Sequence, residues 1–292
     1  VQIISASRRT DIPAFYSEWF MNRIRAGFAE YRNPFGGQRH RVSLSPEEVS
    51  CIVFWSRDYR PLLSHLDELE RRGFAFVFHF TITGLPAAFD AFNPPTETAI
   101  ETCRELAARY GAQRALWRYD PVVFSDQTDA LYHAKRFREL ASRLEGTTER
   151  CYFSFLDFYT KIEHNLEKVE RETGLRCFDP QEAEKKDLAS ALAQAGGDHG
   201  ISLYACCEDF AVGGAVHKGH CVDAELIRAL FPERAASVPI KPTRPGCGCY
   251  ESRDIGAYDT CGHGCVYCYA NSDRNTAKKN AETHDPASAS LG

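Results

Sequence analysis

The sequence predicts a parallel α/β fold, read as a complete or partial TIM-type β/α barrel over residues 1–205 with a cysteine-rich segment after it. Three observations carry this. Six short β-rich runs alternate with amphipathic helical patterns. The run Phe74-Ala-Phe-Val-Phe-His-Phe-Thr-Ile82 is nearly continuous in apolar residues, as in a strand buried on both faces. No Gly-x-Gly-x-x-Gly follows the first strand, which favours a barrel over an open doubly wound sheet, the alternative topology.

Val1-Gln-Ile-Ile-Ser5 reads as the first strand, and residues 14–26 as a helix with Tyr16, Trp19, Phe20 and Ile24 at helical spacing and Gly27 as its stop. Ser50-Cys-Ile-Val-Phe-Trp55 is the second strand, and its helix starts near Pro61 with Leu62, Leu66 and Leu69 inside. The Phe-rich run is the third strand, followed by a helix with Ile100, Cys103, Leu106 and Tyr110 on one face. Ala115-Leu-Trp-Arg118 precedes a helix marked by Leu131, Phe137, Leu140 and Leu144. Cys151-Tyr-Phe-Ser-Phe155 precedes one marked by Ile162, Leu166 and Val169. A further helix over 180–194 leads to Ile201-Ser-Leu-Tyr-Ala205. The alternation then fails: 223–231 reads as a short capped helix, 206–277 as a cysteine-bearing segment at the barrel mouth, and 278–292 as a polar, flexible tail.

The chain of 292 residues is 43% hydrophobic and 26% charged, ordinary for a globular protein. A net charge of −5 gives no general pull toward nucleic acid. No apolar stretch approaches the roughly twenty residues needed to cross a bilayer. No charged-then-apolar leader opens the sequence, and twelve cysteines without one lead to the expectation of a reducing cytoplasm and of metal or cluster ligation.

Cysteine placement carries the chemistry. Cys51, Cys103 and Cys151 lie in apolar runs and read as small core hydrophobes. Eight others crowd the last third. Cys261, Cys265 and Cys268 are spaced C-x3-C-x2-C, and three thiolates bind three irons of a cubic cluster, leaving the fourth free for a small molecule. The odd count argues against structural zinc, which closes with four ligands. Cys206, Cys207, Cys221, Cys247 and Cys249 supply five thiols for a second centre, read as a second [4Fe–4S] cluster with zinc as the alternative. One of the adjacent Cys206 and Cys207 is expected to bind while the other faces away. His217, His220 and His263 are read as loop histidines, and His79 as a hydrogen-bonded core residue.

In a barrel, functional groups gather at the C-terminal strand ends. Those ends are polar here. Ser7, Arg8, Arg9 and Asp11 follow the first strand, and Trp55 ends the second. Arg118, Tyr119 and Asp120 close the fourth, and Ser154 and Tyr159 lie at or after the fifth. We read Ser7, Arg8, Arg9, Asp11, Trp55, Arg118 and Ser154 as cofactor-binding candidates, and Tyr119, Asp120 and Tyr159 as catalytic ones. Each also has a local reading as an ion pair or loop hydrogen bond.

These residues resemble the DUF1848 family, a domain of unknown function. The match includes Ile4-Ser-Ala-Ser-Arg-Arg-Thr-Asp-Ile-Pro13, Phe54-Trp-Ser56, Trp117-Arg-Tyr-Asp-Pro121, Cys247-Gly-Cys249, Ser252-Arg-Asp-Ile-Gly256 and Cys261-x3-Cys265-x-Tyr-Cys268-Tyr-Ala270. The C-terminal cysteines resemble the [4Fe–4S] motif of radical S-adenosylmethionine (SAM) enzymes. That resemblance implies a radical SAM-like enzyme with one or two clusters, SAM as cofactor, a small polar substrate and a reductant such as a flavodoxin or ferredoxin. It departs from the usual pattern in two respects. The motif follows the barrel, and no Gly-Gly-Glu element follows the second strand, Gly213-Gly214 coming too late. A non-catalytic metalloprotein and a nucleic-acid repair lyase-like radical enzyme are the alternatives.

Overall fold

The computed structural model describes residues 1–33, 36–234 and 237–292. Its centre is one sheet of eight strands, every pair parallel. In chain order the elements are β1 (Gln2–Ala6), α1 (Ile12–Phe15), α2 (Ser17–Ala26), β2 (Phe28–Arg32), β3 (Arg39–Ser43) and β4 (Val49–Ser56). Next come α3 (Arg60–Leu63), α4 (Leu66–Arg71), β5 (Phe76–Thr81), α5 (Thr96–Tyr110), β6 (Ala115–Val122), α6 (Ala130–Leu144) and β7 (Arg150–Phe155). The chain continues through α7 (Thr160–Thr173), α8 (Glu182–Gly197), β8 (Ser202–Ala205), β9 (Val216–Lys218), α9 (Ala224–Leu230), β10 (Arg253–Asp254) and α10 (Arg274–Glu282).

The sheet order is β10-β1-β4-β5-β6-β7-β8-β9, so the six expected strands are all present and in sequence order. The two additions, β9 and β10, extend it at its edges. Among the described residues these edges are not paired with each other, so the barrel's closure is not seen. β2 and β3 form a separate antiparallel hairpin.

Alternation along the strands sends successive side chains to opposite faces. On one face Ile4, Phe54, Phe78, Trp117 and Phe153 pack against the helices, meeting Phe20 of α2, Leu106 of α5, Phe137 of α6 and Leu192 of α8. Phe20 lies 5.3 Å from Phe54, edge to face. Each such ring contributes roughly 2–3 kcal/mol on burial. Leu131, expected on the packed face of α6, is 75% exposed. The inward stripe begins two residues later at His133, because Asp129 caps the helix and leaves its first turn at the surface.

On the other face Ile3, Val53, Val77, Leu116 and Tyr152 pack with Val222, Leu226 and Ile227 from the α9 region. That region reaches four strands. Cys221 O meets His79 Nε2 on β5 at 2.7 Å, and Cys221 Sγ accepts from Arg118 Nη1 on β6 at 3.2 Å. Asp223 pairs with Arg150 of β7 at 3.0 Å, and Arg234 O accepts from Ser50 Oγ of β4 at 2.6 Å.

The segment expected to be a flexible tail is tied down. Trp19 Nε1 donates to Ser288 O (2.9 Å), Arg23 Nη2 to Ala287 O (3.0 Å) and Glu30 N to Ala289 O (2.8 Å), while Leu291 is buried. Backbone carbonyls in a polar sequence carry no composition signal, which is why the sequence reads as loose. Among the described residues no helix is long and apolar enough to cross a membrane.

Candidate functional site

Because every strand of the sheet runs the same way, all strand ends with chemistry lie along one edge. The three-cysteine loop is fastened to that edge at several points. Asp11, just after β1, caps α1 through Ala14 N (2.9 Å) and accepts from Ser56 Oγ (2.7 Å) and Arg57 N (2.8 Å) at the end of β4. Its second oxygen also meets His263 Nε2 at 2.7 Å, and His263 lies inside the C-x3-C spacing. Tyr267, the aromatic before Cys268, accepts from Arg57 Nη2 at 2.7 Å and donates to Asp90. Val266 N donates to Phe89 O at 3.1 Å, and Asn165 Nδ2 of α7 to Val266 O at 3.0 Å. Asn271 closes the base of the loop on Cys261 O at 2.7 Å.

The loop therefore lies over the ends of β1, β4 and β5 and beside α7. Cys261, Cys265 and Cys268 act on one another electrostatically. Burial pushes the Cys261 thiol up to about 12, with Asp11 and Cys268 adding to the shift, and burial also raises the Cys265 thiol well above its ordinary value despite the opposing Arg57 charge. Thiols so raised ionise only when a cationic acceptor takes the sulfur charge.

The segment after β1 binds the chain itself. Ser7 Oγ and Gly256 N both donate to Asp254 Oδ1, at 2.7 and 3.0 Å, while Ser5 Oγ and Arg8 N donate to Oδ2, both at 2.8 Å. Arg9 lies 4.0 Å from Asp254 and over the Tyr258 ring. Ser7 and Asp11 thus hold β10 and the cysteine loop in place. Arg8 differs: its guanidinium lies over Trp55 at 5.4 Å, and its Nη2 is buried without a partner. Trp55 stacks on His79 at 4.4 Å and donates to Ser5 Oγ at 3.1 Å. Burial drives the His79 pKa down to about 3, so this core histidine is neutral.

The other five cysteines form one group. Cys206 Sγ lies 2.7 Å from Cys221 Sγ, Val222 N, next to Cys221, donates to Cys249 Sγ at 3.4 Å, and Cys249 N donates to Cys247 Sγ at 3.4 Å. Hydrogen bonds from their neighbours push Cys221 and Cys247 down, while Cys206, Cys207 and Cys249, the donors, are pushed up. Arg118 Nη1 donates to Cys221 at 3.2 Å, supporting its negative charge, and Arg244 Nε donates to Cys207 at 3.1 Å, opposing the rise there. Cys207 has φ +63, a left-handed backbone that turns its thiol back toward the group. Of the adjacent pair, Cys206 meets Cys221 directly and Cys207 accepts from Arg244. Among the described residues no three histidine, cysteine or carboxylate groups converge as around a single bound ion.

A family model described as a domain of unknown function, DUF1848, matches residues 3–270. The chain belongs to the DUF1848 family. No curated protein matches it. Among solved structures it is similar to a D-hydantoinase, at 12% identity and a TM-score of 0.32, with 80% of this chain and 44% of that one covered. A D-hydantoinase from a Bacillus sp. AR9, at 11% identity and a TM-score of 0.30, is covered over 40% of its length by 76% of this chain. The DUF1848 chain thus spans less than half the length of either.

The remaining candidates of this DUF1848 chain divide. Asp120 accepts from both Arg118 and Ser154, which brings three strand-end residues together beside Cys221. Tyr119 does not join them. It points to the helix side, fully buried, with its hydroxyl 2.8 Å from His133 Nδ1, because alternation along β6 sends 118 and 120 one way and 119 the other. Tyr159 is half exposed at the rim, 3.5 Å from Arg244 Nη1, and Arg244 also pairs with Asp157. Glu208 went unseen in the sequence. It is buried just after Cys207, accepts from Phe155 N at 2.9 Å, and is pushed up to about 7 by burial, with Asp157 adding to the shift. His263 and Tyr267 also went unrecognised as anchors. The only signal was their place inside the cysteine spacing.

Proposed function

We propose that this protein is a radical SAM-like iron–sulfur enzyme acting on a small polar substrate, with Cys261, Cys265 and Cys268 holding a [4Fe–4S] cluster. The observation that carries the reading is the fastening of the three-cysteine loop across the functional edge of a parallel sheet. Asp11–His263 and Arg57–Asp90–Tyr267 provide that fastening. A cubane is ligated at separate corners, so its thiolates stand apart and do not crowd one point as around zinc. Three part-buried thiols on one loop fit that donor set. A cluster with three protein ligands supplies the electron for reductive cleavage of SAM, and the protein's part is to position and to exclude water.

The barrel-like curvature of the sheet belongs to the same proposal. The stretch 221–234 hydrogen-bonds or pairs with β4, β5, β6 and β7 from one side. Strands about 4.8 Å apart spread those four over some 14 Å if flat, and a short segment bridges them more readily across a concave face. The inner thiol group is read as a second [4Fe–4S] centre drawing four of its five thiols. Zinc is the second reading, favoured by the direct contact of the Cys206 and Cys221 sulfurs. A one-electron donor of the flavodoxin or ferredoxin type completes the chemistry, in a reducing cytoplasm.

The test is reductive SAM cleavage. Anaerobically reconstituted protein treated with dithionite and SAM is expected to cleave it, and Cys265→Ala is expected to abolish cleavage. Intact iron and sulfide with no cleavage would overturn the reading.

A further inference from the structure

A cleft of about 240 Å³ opens at the end of β5, between that strand and the 83–96 loop. It adjoins the three-cysteine loop, since Arg57 and Asp90 line it and both bond Tyr267. Its lining is mixed. Leu85, Pro94 and Pro95 supply apolar wall. Asp90, Thr83 and Asn93 supply polar groups, and Asn93 Oδ1 is buried with no hydrogen-bond partner. A buried amide oxygen left unmatched is unfavourable, so a ligand that donates to it is favoured. Asp90 Oδ2 already accepts from Thr83 Oγ1 and Arg57, both at 3.2 Å, and Oδ1 from Tyr267, which leaves Oδ1 one further acceptor site.

Apolar wall and hydrogen-bond acceptors in one cleft suit a nucleoside: a flat base against the prolines and leucine, with hydroxyls or an exocyclic amine to Asp90 and Asn93. The segment after β1 does not compete for this part, because Ser7 and Asp11 are spent on Asp254 and His263. We propose that the β5-end cleft binds the adenosyl part of SAM. This rests on the radical SAM-like reading, and it moves nucleoside recognition from the Ser7–Asp11 segment to Thr83, Asp90 and Asn93.

The test is equilibrium binding, measured by calorimetry on anaerobically reconstituted protein with SAM and with adenosine as a competitor. Asn93→Leu and Thr83→Val are expected to weaken SAM binding tenfold or more and to weaken adenosine in parallel. Thr83→Ser is expected to retain binding. Iron content and melting temperature, unchanged in all three variants, exclude a folding defect as the cause. SAM bound with equal affinity by wild type, Asn93→Leu and Thr83→Val overturns the assignment while leaving the radical SAM-like reading standing. No SAM bound by fully reconstituted wild type overturns both.

Discussion

Asp11 does more than any other single side chain to hold the candidate site together, because its two oxygens join the ends of β1 and β4 to the cysteine loop. Removing it leaves buried donors unmatched at about 1–3 kcal/mol each. Asp11→Ala is expected to lower stability by about 3 kcal/mol and to reduce iron bound at the three-cysteine site. Asp11→Asn, which keeps one acceptor, is expected to lose less. Chemical denaturation and iron analysis check both. Glu208 gives a pH signature. Its folded pKa of about 7 lies above the ordinary carboxyl value, so the folded state holds the extra proton between about pH 4.5 and 7. Stability from this group is therefore full below that window and falls as pH rises through it, by an amount on the order of 2–3 kcal/mol. Glu208→Gln keeps an acceptor for Phe155 N and removes the loss. The variant is expected to gain on wild type between pH 5 and pH 8, and equal pH profiles would contradict it. The sequence marked Asp11, Ser7 and Arg118 as polar strand-end groups. It gave no means to tell a ligand contact from an anchor, because anchors such as Asp254 and His263 lie some 250 positions away.

The six main strands and their helices were legible because each carries a run or period of four residues or more. β9 and β10 were not, since three- and two-residue strands fall below any periodicity, and β2 and β3 are rich in charge. Their placement depends on close backbone approach instead. A Cβ on Gly256 would stand 2.0 Å from Ser7 Oγ and 2.6 Å from Ser7 Cβ. Gly256→Ala is therefore expected to push the loop off β1 and lower the melting temperature, while Gly146→Ala, whose Cβ meets nothing, tests only its positive φ. The terminal strap is a second element the sequence concealed. Deleting residues 284–292 removes the bonds to Trp19, Arg23 and Glu30 and the burial of Leu291. A loss of about 3 kcal/mol is expected, with cluster loading retained, and calorimetry with iron analysis distinguishes the two effects.

At the scale of the whole molecule, parallel strands direct every strand end to one edge, and the C-terminal third returns to that edge carrying two sets of thiols. The concentration of eight cysteines after residue 205 was plain in the sequence; their division into an outer loop and an inner group agrees with the spacing, but the direct contact of Cys206 with Cys221 required the fold. Full reconstitution is expected to give about eight irons per chain, four for each cubane. About four irons with one zinc would instead assign zinc to the inner group. The most direct test of the central claim is electron paramagnetic resonance of the reduced, reconstituted protein with and without SAM. The expected result is a cluster signal that shifts on adding SAM and disappears in Cys265→Ala; a fully loaded cluster whose signal is indifferent to SAM would contradict it.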